Sequence, residues 1–102
     1  MVRKKSKYRH ISIGKKKYFF YEISWIDPCG DSGHAYEKEF LAMKPAMMTT
    51  NAYVFKKDKK YLWTFASYDE ETFSDRNVFP IGCIKDLKKI LITVHMGCQN
   101  LI

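Results

Sequence analysis

A catalytic sequence usually announces itself through a nucleophile set beside a base, a pair of carboxylates held in a pocket, or histidines and cysteines at ligand spacing. The 102 residues carry none of these in recognisable form. Cys29, Cys83 and Cys98 make no CxxC pair, and His10, His34 and His95 are scattered, so neither a disulfide framework nor a metal centre is expected. Ser32-Gly33-His34 brings a hydroxyl near an imidazole, but neighbours in sequence are not the geometry of a triad. Asp27 and Asp31 flank a turn, and Asp69, Glu70 and Glu71 sit together, as carboxylates of exposed loops do. Acid or base catalysis needs burial to tune them. The expectation is a non-enzymatic binding protein that needs no cofactor.

Binding chemistry is better supplied. Arg76 stands in an otherwise acidic stretch, and its planar fork suits phosphate, although Asp75 or Glu71 could take it in an ion pair instead. Trp25, Tyr61, Trp63, Phe65 and Tyr68 offer flat faces for stacking a base. At least half the aromatics of so short a chain must fill its interior, leaving two or three as platforms. Thr49, Thr50, Ser67 and Lys44 add hydroxyl and ammonium donors. Gly30-Asp31-Ser32-Gly33 is either a phosphate nest or a plain turn.

The net charge of +7 resembles a nucleic-acid signature until it is located. Arg3, Lys4, Lys5, Lys7, Arg9, Lys15, Lys16 and Lys17 are its source, with no acid before Glu22. The chain from Glu22 onward holds ten bases against eleven acids. Residues 1–17 read as a basic arm, either gripping phosphates or merely solvated, and residues 18–102 as one small domain. No leader-like apolar run and no stretch near 18 apolar residues appears, so a cytoplasmic protein without a membrane span is expected.

The elements that would position these groups are mostly strands. Lys17 to Asp27 alternates Phe19, Tyr21, Ile23 and Trp25 on one face, and the turn formers from Asp27 to Gly33 stop it. Tyr36 to Met43 predicts a two-turn helix ended by Lys44-Pro45. Met47–Phe55 and Tyr61–Tyr68 predict a hairpin around the charged tip Lys56-Lys57-Asp58-Lys59-Lys60. Asp69 to Asn77 reads as an acidic loop. After Val78 to Gly82, residues 84–94 have helical spacing at Ile84, Leu87, Ile90, Leu91 and Val94 but strand composition; a turn after Pro80 and then a strand is preferred. This order predicts a mainly β fold with one short helix, a small bent antiparallel sheet closing into an SH3-like or Sm-like barrel of four or five strands.

The succession Trp25-x-Asp27, Gly30-Asp31-Ser32-Gly33, Glu39-Phe40, Met43-Lys44-Pro45-Ala46 and Asp75-Arg76-Asn77-Val78-x-Pro80-x-Gly82-Cys83-Ile84 resembles a widespread group of small bacteriophage proteins. His34 stands where that pattern has an aromatic, and Asn51-Ala52-Tyr53 lacks its usual glycine. The resemblance implies an accessory viral protein. Some families of this size sequester cyclic nucleotide signals of host defence, which here would mean a homo-oligomer holding a nucleotide-type anion in the host cytoplasm. A small barrel binding nucleic acid through the basic arm and the lysine tip, and an inhibitor docking on a host enzyme, are the other expectations.

Overall fold

The structure, a computed structural model, describes residues 6–92. Six strands form one antiparallel sheet: β1 (His10–Ile13), β2 (Lys16–Asp27), β3 (Ala46–Lys57), β4 (Tyr61–Tyr68), β5 (Phe73–Pro80) and β6 (Ile84–Lys89). A short helix, α1 (Glu37–Leu41), lies between β2 and β3, and a 3-10 turn (Ile81–Cys83) joins β5 to β6. The mainly β class, the hairpin around the lysine tip, the short helix and the turn after Pro80 are all as expected. The strands run in the order β1-β2-β3-β4-β5, and β6 returns to pair with β2. Six strands therefore replace the expected four or five, and among the described residues no ladder joins β5 to β1 or β6 to close a barrel.

β2 organises the sheet. Along one edge it pairs with β3, from Phe20↔Tyr53 to Asp27↔Ala46. On its other edge β1 pairs over Lys16 to Phe19 and β6 over Tyr21 to Trp25. The two meet at Phe20 in a closed ring of hydrogen bonds. The Phe20 N–H donates to Arg9 O at 2.9 Å, the Arg9 N–H to Ile90 O at 2.8 Å, and the Ile90 N–H to Phe20 O at 3.0 Å. Each of the three strands thus satisfies another's backbone where the ladders diverge.

Alternation gives β2 two apolar faces. Tyr18 and Phe20 pack with Tyr53, Phe65, Ile11, Ile13 and Phe73 in one cluster, while Tyr21, Ile23 and Trp25 pack with Leu62, Phe79, Val54, Ile84 and Leu87 in the other. Bulges keep the register of each face. One between Ser24 and Trp25 sets Lys85 aside, so Ile84 opposite Trp25 and Leu87 opposite Ile23 share a face despite being three residues apart. That spacing looked helical in the sequence, but the chain is a strand with one residue extruded. The strand begins at Ile84 rather than in the β-branched run, of which Thr93 and Val94 lie outside the described residues.

Two further expectations need correction. Residues 69–77 are not one loop: Asp69 accepts the backbone N–H groups of Glu71 and Thr72 in a tight turn, and from Phe73 the chain is β5, paired with β4. Its polarity reflects an exposed edge. Nor is 1–17 an arm throughout, because His10–Ile13 and Lys16-Lys17 belong to the sheet, joined at Gly14, whose φ of 63° lies in the region a Cβ disfavours. Arg3, Lys4 and Lys5 lie outside the described residues.

Thr64 is 2% exposed, and its hydroxyl finds no partner among the described residues. An unsatisfied buried hydroxyl costs about 1–3 kcal/mol, whereas valine keeps the shape without the polar atom. Thr64→Val is expected to raise the stability by about 1 kcal/mol, a rise of roughly 4–8 °C in Tm at this size. Thermal unfolding measures it, and a fall of similar size would mean that the hydroxyl has a partner.

Candidate functional site

The strongest convergence of binding chemistry lies on the β3–β5 face. Trp63 and Phe65, two apart on β4, project to one side, and register places Val78 opposite Trp63 and Arg76 opposite Phe65. A second bulge, between Val54 and Lys56, leaves Phe55 outside the ladder, and its ring meets Phe73 at 5.1 Å and stacks on Tyr18 at 5.7 Å. Phe73 in turn lies edge-on to Phe65 at 4.7 Å. These side chains, with Thr64 and Asn77, line a groove of about 460 Å³. Aromatic walls and one guanidinium at the rim suit a flat, anionic ligand.

The lysine tip borders this groove. The Lys56 ammonium lies 5.7 Å from the centroid of Trp63, whose other neighbour is Tyr61 at 5.6 Å. The tip is shaped by Asp58, whose carboxylate accepts the N–H groups of Tyr61 at 2.7 Å and Lys60 at 2.8 Å. The backbone bonds from Tyr61 and then Lys60 hold the Asp58 carboxyl below its ordinary value, and those from Glu71 and Thr72 do the same for Asp69. Lys57, Lys59 and Lys60 are exposed around the turn.

The other residues expected at a site do not join this groove. Trp25 donates its indole N–H to the Thr50 hydroxyl at 2.9 Å and packs against Phe79 at 5.1 Å, on the opposite face of the sheet. Those two residues do meet, but in a contact that satisfies a partly buried indole. Thr49 pairs with Ser24 and is exposed; Ser67 donates to Asp75 at 2.6 Å; Tyr68 packs on Tyr53 at 5.8 Å. Lys44 lies beyond the β2–β3 ladder, where its carbonyl accepts the Cys29 thiol. In the Gly30–Gly33 loop the Gly33 N–H is taken by Asp31's own carboxylate at 2.8 Å, the arrangement of a turn, with a negative group where an anion would have to sit.

The basic segment is likewise engaged with aromatics. The Arg9 guanidinium lies 4.0 Å from the Phe20 ring and Lys7 lies 5.6 Å from Tyr8. Lys89 sits among Phe19, Tyr8 and Tyr21 at 4.4, 4.9 and 5.9 Å. Lys15, Lys16 and Lys17 are exposed beside the β1–β2 turn. Among the described residues no three His, Cys, Asp or Glu side chains gather at metal-binding distance, and no helix is long and apolar enough to cross a membrane.

Sequence reasoning found Arg76 but not the company it keeps. Phe55, Phe73 and Val78 were passed over, and Lys56 was read only as part of the charged tip, because their proximity to Arg76 depends on the β3 bulge and the β4–β5 register, neither of which leaves a local mark. No protein-family model, curated protein or solved structure matches the chain.

Asp58 has a folded-state pKa below the unfolded one, so its turn stabilises the protein above the ordinary carboxylate range and stops doing so as pH falls through the lowered value. Asp58→Asn is expected to lower Tm at neutral pH and to make the acid-side loss of stability shallower. Thermal melts between neutral pH and the acid limit check this, and superimposable wild-type and variant profiles would contradict it.

Proposed function

We propose that this chain is a non-enzymatic binding protein that holds a nucleotide in the β3–β5 groove, the base against Trp63 and Phe55 and the phosphate at Arg76. The observation that carries the reading is the placement of Arg76 in the same groove as Phe55, Trp63, Phe73 and Val78. A guanidinium at the rim of an aromatic groove suits both halves of a nucleotide, and stacking on an aromatic contributes about 1–3 kcal/mol per base. Combined with the bacteriophage resemblance, this supports sequestration of a nucleotide immune signal, such as a cyclic dinucleotide, as the biological role.

The lysine tip favours a second reading. Lys56, Lys57, Lys59 and Lys60 extend the positive charge from the groove's edge, as a single nucleic-acid strand would use it. Salt separates the two: each strand phosphate neutralised adds about 0.7 to the slope of log affinity against log salt, so a long contact is steep and a small dianion is shallow.

Calorimetric titration with cyclic dinucleotides, mononucleotides and a thymidine oligomer tests both. Binding of a small nucleotide, recovered unaltered, with Arg76→Ala weakening it by about 1.5–3 kcal/mol, is the expected result. Preference for the oligomer with a steep salt slope would move the function to the second reading. Chemical conversion of the nucleotide, or no response to any of them, would overturn the proposal.

A further inference from the structure

Residues 28–45, beyond the last β2–β3 pair Asp27↔Ala46, and the first three residues of β3, 46–48, form a lobe whose every residue is exposed. α1 sits here, started by the Tyr36 N–H bonding to Glu39 at 3.1 Å, and it buries no residue and makes no extensive contact with any strand. Yet the lobe is rich in large apolar side chains: Tyr36 is 85% exposed, Leu41 71%, Phe40 67% and Met47 63%, with Met43 and Met48 also above a third. Fixing each backbone residue costs about 1–2 kcal/mol, and within one chain almost no burial offsets that cost here.

We propose that this lobe is a self-association surface that clasps the same lobe of a second copy of the chain about a two-fold axis. Area supports that occupant. At about 200–250 Å² for each fully exposed residue of these types, the six side chains offer roughly 800 Å², the share each partner contributes to a standard stable interface. Charge supports it too. Residues 28–48 contain Asp31, Glu37 and Glu39 against Lys38 and Lys44, a formal −1, while the rest of the chain carries the remaining +8. Copies approaching through residues 1–17, with eight bases and no acid, meet like charge, whereas the lobe is nearly neutral and carries both signs, so a two-fold axis can set acid against base. Met47 and Met48 alternate to opposite sides of β3, so the two lobes must wrap around each other rather than lie flat.

Sedimentation equilibrium of the full chain tests the inference independently of any nucleotide. A monomer–dimer equilibrium is expected, with Phe40→Glu and Leu41→Glu each weakening it by at least about tenfold. Leu91→Glu, at an exposed apolar site outside both the lobe and the groove, should leave it unchanged. Hydrogen exchange on the wild type supplies a readout without mutation: amides within 28–48 should be protected at high concentration and released on dilution. A monomer at on the order of 100 μM, a dimer indifferent to both lobe substitutions, or a dimer dissolved by Leu91→Glu would each overturn the proposal.

Discussion

The backbone of β2 is the constraint on which the other elements depend. Twelve residues long, it is hydrogen-bonded along both edges, to β3 on one and to β1 and β6 in succession on the other. Two strands can share one edge only if the point of divergence leaves no orphaned amide. The ring through Arg9, Phe20 and Ile90 provides that, with three donors meeting three acceptors. A proline at any of the three positions would remove a donor from the ring and uncouple β1, β2 and β6 together.

Because β2 carries apolar side chains on both faces, the domain has two small hydrophobic clusters instead of one core, the first largely aromatic and the second mixed with aliphatics. The cluster around Tyr18, Tyr53 and Phe65 runs outward through Phe73 and Phe55 into the groove, so the candidate site is the exposed margin of a packed cluster. This gives its floor rigidity. Phe65 is buried beneath, Phe73 braces Phe55, and the extra residue of the β3 bulge brings that ring to the rim. On the opposite face Trp25 is committed to Thr50 and Phe79.

What the sequence disclosed follows from what is locally encoded. Strict alternation and a dense set of turn formers marked β2, and a charged tip between aromatic runs marked β3 and β4, because those signals depend only on near neighbours. β5 was hidden because an exposed edge strand needs no apolar alternation; Ser74, Asp75, Arg76 and Asn77 are held in it by β4. The spacing of Ile84 and Leu87 misled for a related reason, since a bulge opposite Ser24 and Trp25 converts a helical interval into a shared sheet face. At the site, Arg76 was legible by type. Trp63 and Phe65 were legible as flat faces but not as its neighbours, because Phe65↔Arg76 and Trp63↔Val78 are fixed by a register that only the folded sheet reveals.

In the proposed function Trp63 and Arg76 act as a single site on one face of the sheet, while Trp25 belongs to the framework on the other. The chain has two tryptophans, so Trp25→Phe leaves Trp63 as the sole indole emitter. Fluorescence titration of that variant with a nucleotide shown calorimetrically to bind is the most direct measurement. Quenching of Trp63 that saturates with the calorimetric isotherm is the predicted result. Binding that leaves Trp63 emission unchanged would contradict the account and place the ligand elsewhere on the molecule.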